Sequence, residues 1–86
     1  MIRVQVFTQE RCPQCRATLR RFARWGAEVE VVSALEHIDY LHGLGVTTAP
    51  GVVVTDDGLV LEAGGGFSQS RVDKWGRALE AQACGE

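Results

Sequence analysis

The chain has 86 residues, a formal net charge of -2 and a hydrophobic content of 45%. This length allows one small domain and excludes two, and the hydrophobic content is ordinary for a globular core. The slight negative charge argues against non-specific binding of nucleic acid. Because no apolar run suggests a signal peptide or a membrane span, we expect a cytoplasmic protein with no membrane partner. We also expect a monomer.

The first part of the chain predicts a strand, a helix and a second strand. Apolar and polar residues alternate over residues 2–7, which favours a strand. Apolar residues at helical spacing predict a helix from Pro13 to about Trp25, with Gly26 as its C-terminal cap. A valine-rich run over residues 28–32 predicts the next strand.

The middle of the chain predicts a second helix. Ser33 and Glu36 have the spacing of a capping box, in which Ser33 is the N-cap. Leu35, Ile38 and Leu41 follow at helical spacing, and the helix should end near the glycines at 43 and 45.

The last part predicts a hairpin and a final helix. Pro50 can stand only at the start of the β-branched strand over residues 51–55. A turn at residues 56–58 leads to a returning strand over residues 59–63, which the glycines at 64–66 should end. Ser68 or Ser70 caps the last helix, whose apolar stripe is Val72, Trp75 and Leu79.

This order of elements, βαβαββα, predicts an α/β fold: a four-stranded mixed sheet with three helices on its two faces. Residues 1–82 should form the domain, and residues 83–86 should form a flexible tail.

The pair Cys12 and Cys15 lies at the predicted start of the first helix, where two sulfurs can form and reopen a small disulfide ring. Cys12 would be the N-cap, where free N–H groups and the helix dipole favour a thiolate. Pro13 suits the first helical position. Cys15 falls on the apolar face with Leu19 and Phe22, so we expect Cys12 to attack and Cys15 to resolve the mixed disulfide.

A zinc site could also use this cysteine spacing, but a structural zinc ion needs about four Cys or His ligands. The remaining candidates, Cys84, His37 and His42, are not spaced like the second half of a zinc finger. We therefore predict no metal site, while a metal or iron–sulfur module that uses Cys12 and Cys15 stays open as an alternative. An odd cysteine count with one redox spacing also indicates a reducing compartment.

Most of the positive charge of the chain collects beside the cysteine pair. The arginines concerned are Arg11, Arg16, Arg20, Arg21 and Arg24. They could be an ordinary solvated helix face. Alternatively, Arg11 and Arg16 help to hold Cys12 as a thiolate, and the patch attracts an acidic partner segment.

The chain resembles the minimal, glutaredoxin-like form of the thioredoxin fold, and within it the NrdH redoxins. Cys12-Pro13-Gln14-Cys15 is similar to the C-x-Q-C motif of that family, and Gln14 is the most discriminating residue. Similar segments follow at 34–37, 45–50, 52–54 and 66–67, whereas Gly51 is an unusual small residue after Pro50. The resemblance implies a dithiol electron carrier without a cofactor, which is reduced by thioredoxin reductase. Its implied target is a class Ib ribonucleotide reductase or another disulfide protein.

The resemblance also implies a set of site residues. Cys12 and Cys15 would be catalytic, and a cis Ala49–Pro50 bond beside them would leave Ala49 free to pair with an extended target. The supporting and substrate-binding residues would be Arg11, Pro13, Gln14, Thr48, Ala49, Pro50, Gly65, Gly66 and Phe67.

Two departures bear on mechanism and partner. Val6 stands where thioredoxins carry a buried Asp, so proton transfer from Cys15 needs water or a nearby group, for which Glu10 is a weak candidate. A glutathione-linked glutaredoxin is the alternative, since the glycines at 64–66 could form a backbone nest for a carboxylate. Against it, Phe67-Ser68 replaces the acidic residue that holds the glutathione amine in glutaredoxins.

Overall fold

The sheet has four strands, which lie side by side in the order Glu30–Ser33, Ile2–Thr8, Gly51–Asp56 and Leu59–Gly65. Only the first two of these pair in parallel. The computed structural model describes residues 1–84. Its elements are β1 (Ile2–Thr8), α1 (Pro13–Arg24), β2 (Glu30–Ser33), a 3-10 turn (Leu35–His37), α2 (Ile38–Gly43), β3 (Gly51–Asp56), β4 (Leu59–Gly65) and α3 (Gln69–Cys84). The predicted α/β class, the four-stranded mixed sheet and its three helices are therefore confirmed.

Strand β3 is buried on both faces of the sheet, which explains its unbroken β-branched composition. Val52 and Val54 belong to a core that includes Phe22 of α1 and Trp75 of α3. Val53, which points to the other face, belongs to a second cluster. That cluster consists of Phe7, Ala34, Leu41, Val46 and Val53. Helices thus cover both faces, as predicted.

Helix α3 is held against α1 by a small residue and a shared carboxylate. A Cβ on Gly76 would lie only 2.5 Å from the Trp25 ring, so glycine allows the close approach of the two helices. Asp73 accepts two hydrogen bonds from the Arg21 guanidinium, both at 2.8 Å, and one from Trp25 Nε1 at 2.9 Å. These bonds hold the pKa of Asp73 at about 2, below its ordinary value of 3.8.

A second shared carboxylate ties α3 to β4. Glu62 accepts hydrogen bonds from Arg71 Nε at 3.0 Å and from Trp75 Nε1 at 2.9 Å. Partial burial raises the pKa of Glu62, but these bonds and the charge of Lys74 outweigh burial, so its pKa lies below the usual range.

The turns follow the sequence signals. Gly26 has φ +66° and donates its N–H to Ala23 O at the end of α1, as expected of a C-terminal glycine. Asp57 and Gly58 both have positive φ and join β3 to β4, which is the geometry that an Asp-Gly hairpin favours.

The predicted capping box at Ser33 was wrong. Ser33 is the last residue of β2, where it pairs with Thr8, and the next residue, Ala34, donates its N–H to Thr8 O at 2.8 Å. Because Ser33 and Ala34 are hydrogen-bonded to β1, the chain makes a 3-10 turn before α2 begins. Neither that turn nor α2 has a side-chain cap. Leu35 is 70% exposed and Ile38 is 41% exposed, so only Leu41 of the predicted stripe is buried.

Strand β4 and helix α3 both end later in the chain than the sequence predicts. Strand β4 continues through Gly64 and Gly65, which pair with Val52 and Gly51, so the strand passes the predicted glycine break. Helix α3 continues through Cys84 and so overlaps the tail expected at 83–86. Gln82 is tied to β1, since its side chain accepts the N–H of Ile2 at 2.8 Å and donates to the Ile2 carbonyl at 3.1 Å. Residues 85–86 lie outside the described residues.

Candidate active site

The two cysteines of the C-x-x-C motif are joined in a disulfide at the start of α1, with their Cα atoms 5.2 Å apart. Cys12 is the N-cap residue, with extended backbone, and its Sγ accepts the N–H of Cys15 at 3.1 Å. Cys12 is 8% exposed and Cys15 is 3% exposed. The outer sulfur therefore occupies the position where a helix N-terminus stabilises negative charge, and the inner one lies in the protein.

The connection from β1 delivers Cys12 through a residue in an uncommon conformation. Arg11 has φ +55°, in the left-handed region, and its side chain is exposed. Pro13 then occupies the first position of α1, as predicted. Arg16 donates its backbone N–H to Cys12 O at 3.2 Å, which closes the first helical turn. The first turn of α1 contains no acidic residue, and its one charged side chain is that of Arg16.

Gln14 connects the cysteine motif to the loop between β4 and α3. Its side-chain oxygen accepts the backbone N–H of Phe67 at 3.0 Å. Its carbonyl accepts the hydroxyl of Thr18 at 2.8 Å, and Thr18 is completely buried. In the same loop, Gly66 donates its N–H to Pro50 O at 2.9 Å. Hydrogen bonds through residues 66–67 therefore connect the cysteine motif at 12–15 to Pro50.

The Ala49–Pro50 peptide bond is cis, as the resemblance implies, and β3 begins at the next residue. The segment before Pro50 packs closely on β4. A Cβ on Gly65 would lie 2.5 Å from Thr48 Oγ1 and 2.8 Å from the Thr48 carbonyl oxygen. This close contact with Thr48 therefore requires glycine at position 65.

The glycine segment is not an open nest for a carboxylate. Gly64 and Gly65 are extended residues of β4, and the N–H groups of Gly66 and Phe67 already donate to Pro50 and Gln14. An anion nest needs successive N–H groups that are free to point at the ligand. This arrangement disfavours the carboxylate site that the glutathione alternative requires.

Two features of the site were missed from sequence. One is the buried hydroxyl of Thr18, whose position within the apolar face of α1 was the available signal. The other is a cavity of about 200 Å³ beside Thr48 and Ala49. Exposed apolar residues, Leu35 and Ile38, line this cavity. It could not be predicted, because it depends on the 3-10 turn that replaced the expected start of a helix.

The two positions considered for proton transfer from Cys15 lie in different environments. Val6 is fully buried in the core, and Glu10 is exposed.

Within residues 1–84 no group of three or more His, Cys, Asp or Glu side chains is placed to bind a metal ion. In the same range, no helix is long and apolar enough to cross a membrane.

Comparison with known proteins agrees with this geometry. The family model for glutaredoxin matches residues 4–60, which is more than half of the chain and includes both redox cysteines. The chain belongs to the glutaredoxin family. With its adjacent Cys12–Cys15 disulfide, this family member is a thiol–disulfide oxidoreductase.

Solved thioredoxins share the fold of this glutaredoxin-family chain. The thioredoxin of Malassezia sympodialis aligns with a TM-score of 0.69 at 17% identity, over 93% of this chain and 76% of that chain. The thioredoxin of Fasciola hepatica has a TM-score of 0.69 at 17% identity, over 91% and 80% of the two chains. Thioredoxin 1 of Thermosipho africanus has a TM-score of 0.61 at 23% identity, over 94% and 98%. No curated protein matches the sequence significantly.

Proposed function

We propose that the chain is an NrdH-type electron carrier of the cytoplasm. Thioredoxin reductase would reduce its Cys12–Cys15 disulfide, and the dithiol would reduce a class Ib ribonucleotide reductase or another disulfide protein. The observation that carries this proposal is the hydrogen bond from Phe67 N–H to Gln14 Oε1 at 3.0 Å. Gln14, the residue that distinguishes the C-x-Q-C motif, thereby accepts the N–H of Phe67, which a glutathione carboxylate would need as a donor.

The reaction is two successive thiol–disulfide exchanges. The Cys12 thiolate attacks one sulfur of the target disulfide, forms a mixed disulfide and releases the other target sulfur as a thiolate. Cys15 then loses its proton and attacks Cys12 Sγ, which forms the Cys12–Cys15 disulfide and releases the second target thiolate. Starting with Cys12 as a thiolate, the carrier loses two electrons and the proton of Cys15. The target gains the two electrons, and its thiolates take up protons from Cys15 and from solvent. The reductase returns the two electrons from NADPH.

The surrounding residues have separate parts in this proposal. The N–H of Cys15 stabilises negative charge on Cys12 Sγ, and the positive charges of Arg11 and Arg16 attract the thiolate in addition to the helix N-terminus. Thr48 and Ala49 present main-chain groups to an extended target segment, and Pro50 positions them. The residues with these roles would form one surface, because the absence of a side chain at Gly65 allows Thr48 to pack against β4.

The second supporting contact is between Gly66 and Pro50. Gly66 N–H bonds to Pro50 O at 2.9 Å, which joins the target-pairing segment to the loop before α3. Gln14 and Phe67 join the same loop to the cysteine motif. The three segments should therefore keep their relative positions while the disulfide opens and closes.

The test compares two electron sources for the oxidised protein in the presence of a disulfide peptide target. NADPH consumption is followed with thioredoxin reductase, and separately with glutathione and glutathione reductase. The proposal predicts turnover with thioredoxin reductase and little with glutathione. Efficient turnover with glutathione alone would instead support the glutathione-linked alternative, which the family membership keeps as the second candidate. Adding a class Ib ribonucleotide reductase as the target then tests the proposed partner.

A further inference from the structure

Three arginines form a row on the solvent face of α1. Arg16, Arg20 and Arg24 are each four residues apart, so they lie on one side of the helix. All three are exposed, whereas the opposite side of α1 buries Cys15, Thr18 and Phe22. We call Arg16, Arg20 and Arg24 the arginine row.

No ion pair within residues 1–84 neutralises the arginine row. This distinguishes it from Arg21, which pairs with Asp73 at 2.8 Å, and from Arg71, which pairs with Glu62 at 3.0 Å. Of the three, Arg24 acts on Asp73 by charge alone, without an ion-pair contact. The row therefore presents concentrated positive charge to the solvent.

The arrangement is unfavourable for the isolated helix. Like charges four residues apart repel each other, and a cation in the first turn of a helix opposes the macrodipole. Arg16 is such a cation, and no acidic residue accompanies it in that turn. The Cys12 thiolate offsets part of this cost at Arg16, and the helix C-terminus and the charge of Asp73 offset part of it at Arg24. No ion pair within residues 1–84 offsets it at Arg20, in the middle of the row, so the row as a whole is explained better by something that binds to it.

The row leads directly to the reactive sulfur. It begins one turn after Cys12, whose carbonyl accepts the Arg16 N–H, and extends about 12 Å along the helix axis. The whole chain has a formal net charge of -2, whereas the arginine row carries three positive charges on one helix face. A negatively charged surface would be drawn to the helix that carries the attacking cysteine.

We propose that the arginine row is the docking site for an acidic face of the protein partners in the redox cycle. The inference rests on the proposed function and specifies what the partners carry: carboxylates spaced to meet Arg16, Arg20 and Arg24. Attraction along the row brings the partner disulfide to Cys12 and accelerates the encounter. A nucleic acid is a poorer fit, because the chain as a whole is negatively charged, at -2, and so does not favour binding of phosphates.

The experiment uses the reduced full chain and three synthetic disulfide peptides. The peptides share one disulfide loop and differ only in an acidic, neutral or basic flanking segment. The second-order rate of reduction is measured for each peptide at low and high salt. The wild-type chain should reduce the acidic peptide about 10-fold faster than the basic one at low salt. High salt should remove most of that difference, because it screens exposed charges.

Two matched charge reversals locate the effect. Arg20→Glu changes the middle of the row, and Arg3→Glu makes the same change in charge at the opposite end of β1 from the loop to Cys12. The first variant should lose most of the preference for the acidic peptide, and the second should retain it. Circular dichroism of both variants checks that they fold.

Three results would overturn the inference: no preference in the wild type, equal loss in both variants, or a preference that high salt does not change. A single-stranded oligonucleotide that binds the wild type tightly and blocks the acidic peptide would favour nucleic acid instead. The rate with the neutral peptide reports on dithiol exchange alone. If that rate is high and no charge preference exists, the docking inference fails while the oxidoreductase function stands.

Discussion

The side-chain oxygen of Gln14 accepts a hydrogen bond from the backbone N–H of Phe67 across 53 positions of sequence. The contact joins the first turn of α1 to the loop before α3. It also fixes that loop beside Pro50, whose carbonyl accepts the N–H of Gly66. The cysteine motif and its expected target-binding surface are therefore parts of one hydrogen-bonded unit.

The first prediction concerns the Gln14 contact. Gln14→Met keeps the length of the side chain but removes the acceptor, so the N–H of Phe67 must turn to water. Because the contact is exposed, the free energy of unfolding should fall by only about 0.5–1 kcal/mol. The rate of disulfide-peptide reduction, kcat/KM, should fall more, by about 10-fold, because the loop is no longer held in position.

The matched control for this change is Gln69→Met, at an exposed residue that begins α3. It should alter neither stability nor kcat/KM by more than the measurement error. Equal rates for Gln14→Met and the wild type would show that the Gln14–Phe67 contact does not organise the site.

The second prediction concerns the contact between Gly65 and Thr48. In Gly65→Ala, the new Cβ would lie within 2.8 Å of two Thr48 oxygens, one of them in the backbone, so the segment before Pro50 must move. The free energy of unfolding should fall by about 1–3 kcal/mol, and the KM for a disulfide peptide should rise. Chemical denaturation and steady-state kinetics measure the two effects.

Gly43→Ala is the control for that substitution. Gly43 is the last residue of α2, and a Cβ there would meet nothing within 4 Å. Alanine also has the higher helix propensity, so this variant should be as stable as the wild type or slightly more stable. If Gly65→Ala behaved like Gly43→Ala, the site would tolerate a displacement that we expect to impair it.

Much of this architecture could be predicted from local patterns. The alternation in β1, the helical spacing in α1 and the Asp-Gly turn each depend on neighbouring residues, and all three agree with the structure. The N-cap position of Cys12 followed from the same local reasoning, since Pro13 marks the first helical position.

The errors occurred where a distant strand decides the outcome. Ser33 has the residue type of a helix cap, but pairing with Thr8 places it in β2. Gly64 and Gly65 have the composition of a chain break, but pairing with Val52 and Gly51 extends β4 through them. The bonds from Arg21 and Trp25 to Asp73 likewise span about fifty positions, so no local pattern could indicate them.

The third prediction concerns the pH dependence of stability at Asp73. Hydrogen bonds from Arg21 and Trp25 hold its pKa at about 2 in the folded chain, against 3.8 ordinarily. The unfolded chain therefore takes up this proton more readily, so the stabilisation is complete above pH 3.8 and is lost as the pH falls towards 2.

Asp73→Asn should lower Tm at neutral pH and should flatten the fall in Tm between pH 4 and pH 2. Glu80→Gln, on the same helix and exposed, should leave the wild-type profile nearly unchanged. Thermal unfolding across this pH range measures all three chains. An unchanged acid profile in Asp73→Asn would mean that this carboxylate does not tie α3 to α1 in solution.

The fourth prediction concerns the remaining cysteine. Cys84 is an exposed free thiol at the end of α3 and is distinct from the Cys12–Cys15 disulfide. Cys84→Ser should therefore keep full reductase activity and should prevent any disulfide-linked dimer under oxidising conditions. Activity and non-reducing electrophoresis test this together. Loss of turnover in this variant would make Cys84 a third participant in the redox cycle.

The central claim is that Cys12 attacks and Cys15 resolves. It is tested most directly with Cys12→Ser and Cys15→Ser, each made together with Cys84→Ser so that one thiol remains. Each reduced variant is mixed with a disulfide peptide, and the mass of the intact protein is measured. Because the Sγ of Cys12 accepts the N–H of Cys15 at the helix N-terminus, Cys15→Ser should accumulate a mixed disulfide on Cys12. Cys12→Ser should form no adduct on Cys15 in the same time. A rapid adduct on Cys15 in Cys12→Ser, with none on Cys12 in Cys15→Ser, would contradict the account.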